Sequence, residues 1–419
     1  MTARALGSVR HSATVLTPYA FAAGVMLALS LGLAQITPRM TVNDGWGYDG
    51  VTYADMTFTF RGQSDGALLA ERPHFAYRPL VPFIVAKSGV DDVKDAYLAL
   101  NAGALVLSGP ALLALLRAYG VRVALGLLAV VLWALLPAAL RYALYYPVLV
   151  DGVGLFFMIA ALAAAAWRRV AFFAVILAVG VLVRENMVIL VPVLWLRLLP
   201  RGAKHATALT ALAAIPALIT FFGVRVAPPI PPPVPFSATD EFRQNVRWLL
   251  ENAADRAWRF AVAGPLTLGL IFLIPIVRPL GSLRFLRHHP EWIYYLVSTL
   301  ALIVVAGGDY DRYFLYFTPA LFLLTFVAHA DVWQSLPRAA VLTAAQLVMV
   351  RAGWPIDPGA QGYSSYNVAT MTLAELRAAL LIAALAFVPA ALVMAWPLSR
   401  LVGGHRPIDG QYVGPRLSR

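Results

Sequence analysis

A chain of 419 residues that is 60% hydrophobic and 13% charged, with a mean hydropathy of +0.73, has too little polar surface for a soluble protein of its size. The formal charge of +12 would suit nucleic acid, but the basic residues stand between hydrophobic segments, where they set topology against anionic lipid; a lipid bilayer is the expected partner and nucleic acid is not. The absence of cysteine excludes disulfides and thiolate metal sites.

In chain order, Arg4, Arg10 and His11 resemble the basic start of a signal peptide. Residues 15–36 are nevertheless too long for a cleaved hydrophobic core and lack a cleavage site, so a retained first helix is expected. Residues 37–95 form a first polar insertion. Within it, Asp44 and Asp49 lie amid glycines and aromatic rings. Two aspartates there suit a general base that must reach an acceptor hydroxyl, with rings such as Tyr53 offering faces to a sugar; an ordinary polar loop is the plainer reading. Arg78, ahead of Pro79 and Pro82, reads either as a stiff re-entry holding a cation or as a simple interfacial anchor, and the apolar piece 80–85 dips into the interface.

Apolar runs follow at 96–116, 121–140 and 148–166, the last containing Asp151, an acid that is costly in hydrocarbon unless paired or hydrated. Run 170–183 ends in Arg184-Glu185-Asn186 and is followed by run 187–199. Two short helices are expected here. At a rise of ~1.5 Å per residue the first reaches only about 21 Å, short of a hydrocarbon core of about 30 Å, which places Arg184 and Glu185 at the floor of a cavity. A structural Asp151–Arg184 ion pair competes with a catalytic reading of the same residues. After run 205–224, a second insertion (225–259) opens with the stiff spacer PPIPPPVP and continues as an amphipathic surface helix. Runs 260–277 and 292–306 lead to GGDYDRYFLYFTPAL at 307–321, which sets Asp309, Tyr310, Asp311, Arg312 and Tyr313 at a helix mouth. Arginine's planar fork suits a lipid phosphate there, or Asp311 and Arg312 merely neutralise each other. Runs 313–330 and 336–350, a Gly/Pro/Ser/Tyr-rich third insertion (351–375), run 376–399 and a basic tail (400–419) complete one all-α membrane domain of about twelve spans, between 11 and 13. With both termini cytoplasmic, the short basic connections lie inside and all but three of the 21 acidic residues lie outside, which assigns the chemistry to the extracytoplasmic face.

DGVTYA from Asp49, RPLVP from Arg78, DGVGLFF from Asp151, VRENMVILVP around Arg184 and RYFLYFTPAL from Arg312 occur in the order of five motifs of one family. Together they resemble the GT-C superfamily of integral-membrane glycosyltransferases, which includes the protein O-mannosyltransferases and the lipid A aminoarabinose transferases, and an uncharacterised bacterial branch of it. The resemblance covers Asp44 to Leu321. It implies a GT-C-like helix bundle in a bacterial inner membrane. The activity it implies is inverting transfer of a sugar from a polyprenyl-phosphate donor to a glycan, lipid or protein acceptor. Residue by residue, it makes Asp49 the general base and Arg312 a phosphate ligand. Arg184 becomes a second phosphate or site-organising cation, with Tyr53, Arg78 and Asp151 supporting and Glu185, Asp311 and Tyr313 as further substrate-binding candidates. Gly50 stands where the family has a second acid, which Asp44 would supply. No cofactor follows firmly from the motifs; a divalent metal is the one candidate. A transporter or flippase is the alternative function, since charged groups in a helical bundle also line substrate paths.

Overall fold

The computed structural model describes residues 2–231, 237–305, 310–352, 354–360, 368 and 370–395. Every regular element among them is helical. Helix α1 (Thr2–Ile36) opens the chain. The first insertion folds into two short helices that pack together, α2 (Gly50–Phe60) and α3 (Leu80–Lys87), with a tight turn, Pro73–Tyr77, between them. Helix α4 (Val93–Ala118) runs beside α1 and is capped by Asp92, whose side chain accepts from the backbone N–H groups of Lys94 and Asp95.

The next expected run is bent by 47°: α5 (Val123–Ala134) stops before Pro137, and the chain continues as a wide turn into α6 (Tyr142–Tyr145). Helix α7 (Asp151–Ala166) begins at Asp151 itself rather than at residue 148. The buried Asn101 amide explains the delay, because it donates to the carbonyls of Pro147 (2.9 Å) and Leu149 and holds that stretch out of the helix. Asp151 is therefore not inside an apolar helix but at its first turn, where an acid complements the helix dipole.

Helices α8 (Val170–Gly180) and α9 (Leu190–Leu198) are separate, joined by the turn Glu185–Ile189, which excludes one long helix over 170–199. Helix α10 (Ala203–Val226) follows. The amphipathic stretch of the second insertion forms α11 (Ala238–Glu251) and, after a break at Asn252, α12 (Ala253–Leu268). Helix α12 passes Arg259 without interruption, so the expected boundary between insertion and span does not exist. Gly269, at φ 56°, then turns the chain by 110° into α13 (Leu270–Val277). Gln346 closes this elbow, accepting from the Leu270 N–H (2.6 Å) and donating to the Leu268 carbonyl (3.0 Å). The remaining helices are α14 (Pro279–His288), α15 (Pro290–Val305), α16 (Tyr310–Phe314), α17 (Thr318–Leu323), α18 (Leu336–Met349) and α19 (Leu373–Ala395).

Among the described residues, four helices are long and apolar enough to cross a membrane, in α1, α4, α10 and α19, or six if each of two bent pairs counts as one crossing. Large apolar side chains such as Leu31, Phe222 and Leu385 stay more than half exposed along them, a surface suited to hydrocarbon. The other apolar runs form shorter helices.

Contacts sort the helix ends into two sets. At one end, Met40 N–H donates to the Tyr145 carbonyl (2.8 Å), Thr41 N–H to Pro358 (2.8 Å), and Arg141 to the carbonyls of Ala352 (3.0 Å) and Trp354, so the first and third insertions meet over the α5–α6 bend. At the other, buried Glu291 receives Tyr119 (3.2 Å), His289 (3.3 Å) and Arg197 (3.5 Å), tying together the basic connections after α4 and α9 and before α15.

Candidate active site

Asp49 is positioned by a run of left-handed backbone at Asn43, Asp44, Gly45 and Gly47. A Cβ on Gly47 would enter the ring of Tyr146, and the Gly50 N–H donates to the Tyr146 hydroxyl (2.8 Å). Glycine is thus needed for close approach as well as for the turn. Asp49 stands at the N-cap of α2, yet its side chain makes no capping bond. Its carboxylate turns instead to two guanidiniums: Oδ1 accepts from Arg72 Nη1 (2.8 Å) and Oδ2 from Arg312 Nη1 (3.2 Å). Burial pushes the Asp49 carboxyl up, but Arg312 and Arg72 outweigh burial and hold it below its ordinary value.

The chain of charges continues from Arg312, whose Nη2 donates to Asp151 Oδ2 (2.9 Å), to Asp151 Oδ1, which accepts from Arg184 Nη2. Arg184 and Arg312 are each less than a tenth exposed. Gly154, one turn after Asp151, makes room for the Arg184 stem, since a Cβ there would stand 2.9 Å from Arg184 Cγ. Beside this chain, Arg78 grips Glu185 with both arms of its fork, Nε to Oε2 at 2.8 Å and Nη2 to Oε1 at 2.6 Å.

Seven of the residues singled out from the sequence therefore gather at one end of the bundle: Asp49, Asp151, Arg184, Arg312, Arg78, Glu185 and Tyr53. Tyr53 is fully buried with its ring edge-on to Phe75 (4.8 Å), which removes it as a stacking face for sugar. Asp44 does not join them. It is exposed, and its backbone carbonyl accepts from Lys94 Nζ. Tyr313 is partly buried with its ring 6.4 Å from that of Tyr316. Asp309 and the side chain of Asp311 lie outside the described residues.

Arg72 is the member that sequence reasoning missed. Arg72 and Arg78 flank the turn Pro73–Tyr77, one facing Asp49 and the other Glu185. The signal was present as a repeated arginine–proline dipeptide, Arg72-Pro73 and Arg78-Pro79. His74 lies in the same turn; burial, then the Arg78 charge, pushes its pKa down to about 4, so it is neutral at pH 7.

A small cavity of about 20 Å³ touches Asp151 among neighbours such as Asn101, Leu105, Tyr142 and Leu315, and none of the site arginines lines it. A larger apolar groove of about 460 Å³ lies next to the charges, lined by Pro79 and Leu80 after Arg78, Leu182 before Arg184, and Phe60, Phe83 and Val224. Among the described residues no three histidine or carboxylate groups converge, and the gathered carboxylates are met by guanidiniums.

Apolar helices closing at one end over buried ion pairs define a helical membrane protein with a charged end site. No protein-family model, curated protein or solved structure matches this chain.

Proposed function

We propose that the protein is an inverting glycosyltransferase. It moves a sugar from a polyprenyl-phosphate-linked donor to a hydroxyl of a glycan, lipid or protein acceptor on the extracytoplasmic face of a bacterial inner membrane. The observation that carries this reading is Arg312 spanning Asp49 and Asp151, residues 263 and 161 positions away in the chain. A carboxylate able to take a proton and guanidiniums able to hold a phosphate lie within one hydrogen bond of each other.

In the reaction, Asp49 removes the proton of the acceptor hydroxyl as its oxygen attacks the anomeric carbon from the face opposite the phosphate. The bond from that carbon to the phosphate oxygen breaks, and the lipid phosphate leaves with the electron pair, stabilised by Arg312 and Arg184. One displacement inverts the anomeric centre and needs no sugar–enzyme intermediate. The apolar groove beside Arg78 and Leu182 is where the lipid chain lies. About twelve segments cross the membrane in a GT-C-like arrangement, the short and bent helices among them, with the charged end outside and both termini inside.

A transporter or flippase would need its polar groups accessible from both ends. Here the described carboxylate–guanidinium chain lies at one end, and Glu291 binds its own partners at the other, which disfavours that reading. The test is Asp49→Asn, assayed in membranes with a panel of radiolabelled lipid-linked sugars: transfer should vanish while expression and helix content persist. Full transfer by the variant removes Asp49 as the base.

A further inference from the structure

The guanidiniums assigned above to the phosphate are each paired with a carboxylate. Both terminal nitrogens of Arg312 are committed to carboxylates, Nη1 to Asp49 and Nη2 to Asp151, and Arg184 holds the other oxygen of Asp151. Resting on the donor proposed above, we infer that Asp49 and Asp151 are internal stand-ins for the lipid phosphate, which must displace them, so that the donor binds before the acceptor and its arrival frees the base.

Physical reasons favour such an exchange. A buried cation without a partner is strongly destabilising, so the aspartates keep Arg184 and Arg312 compensated when no donor is present. When the phosphate takes Arg312, Asp49 Oδ2 is released while Oδ1 stays on Arg72. Arg72, more exposed than Arg312, thus keeps the carboxylate in place as its other oxygen turns to the acceptor. Before that moment Asp49 is doubly bound and a poor proton acceptor. An acceptor arriving first finds no base.

Two measurements on the full-length detergent-solubilised protein test this, using a short-chain polyprenyl monophosphate as the probe. First, Asp151→Asn and Asp49→Asn each remove a competitor, so the probe should bind each variant roughly tenfold tighter than wild type, within the usual range of site–site coupling. Second, carbodiimide-driven amide labelling of Asp49 in the wild type, read by peptide mass spectrometry, should rise several-fold when the probe is added; it requires no variant to fold. A rise with inorganic phosphate as well also supports displacement and places it in the headgroup rather than the chain. Probe binding by wild type with unchanged or weaker affinity in both variants and no change in labelling overturns the displacement and leaves the donor reading intact. Absence of probe binding in wild type and variants overturns both.

Discussion

Asp49 is a carboxylate whose two oxygens answer to two different arginines, so its proton affinity depends on where Arg312 is. With Arg312 and Arg72 both in place, its pKa lies below the ordinary 3.8. A depressed acid of this kind stabilises the folded protein at neutral pH, and that contribution is lost as pH falls through the depressed value. The pH profile of kcat/KM for the donor reports the free enzyme, and its Asp49 limb is expected below 3.8. The profile of kcat at saturating donor reports the complex, in which Arg312 has left and burial dominates, so its limb should move to higher pH. Coincident limbs in the two profiles would contradict the exchange. His74, neutral with a pKa of about 4, supplies no inflection near pH 6.5. At this scale the sequence was largely legible: Asp49, Asp151, Arg184 and Arg312 are charges at the mouths of apolar runs, where hydrocarbon permits them only for a reason. Their pairing was not, because residues hundreds of positions apart share no local pattern.

Short elements, rather than long spans, aim these side chains. The turn Pro73–Tyr77 sets Arg72 and Arg78 on neighbouring carboxylates, and the break between α8 and α9 delivers Arg184 against the first turn of α7. Gly154 is the contact point on α7. Gly154→Ala would put a methyl group 2.9 Å from Arg184 Cγ and push the guanidinium off Asp151. Transfer should fall about 100-fold, the cost of a misplacement of about 1 Å, with probe affinity altered as well. Gly24→Ala, which meets nothing within 4 Å, serves as the control and should leave transfer unchanged. Equal activity in the two variants, measured in single-turnover assays, would show that Arg184 tolerates the shift. Element type was legible from apolar runs and element ends were not. The late start of α7 depends on Asn101, 46 residues before Pro147, and the continuity of α12 through Arg259 depends on contacts no window of sequence contains.

Across the whole molecule, the sorting of helix ends makes sidedness measurable, and the absence of cysteine makes the measurement simple. Gln63→Cys lies in the first insertion and Lys204→Cys at the start of α10, both at exposed positions. A membrane-impermeant maleimide should label Gln63→Cys in intact cells or right-side-out vesicles and Lys204→Cys only in inverted ones. Labelling of both from one side would break the proposed topology. The balance of short basic connections assigns the two ends to opposite sides, since arginine in short loops is a topological signal, and the labelling tests that assignment. It carried no hint of how Glu291, Tyr119 and Arg197 lock the opposite end.

The elbow at Gly269 has a wider effect. Backbone that stops being helical within a hydrophobic bundle leaves a donor and an acceptor with no water to satisfy them, and here the single amide of Gln346 takes the place of solvent for both. Because the arm above the elbow leans Phe260 on Phe314 (5.2 Å), two positions from Arg312, a glutamine outside the charged cluster helps decide whether that cluster is built at all. Harm at that position would show as scarcity in the membrane, with each surviving copy working at full speed.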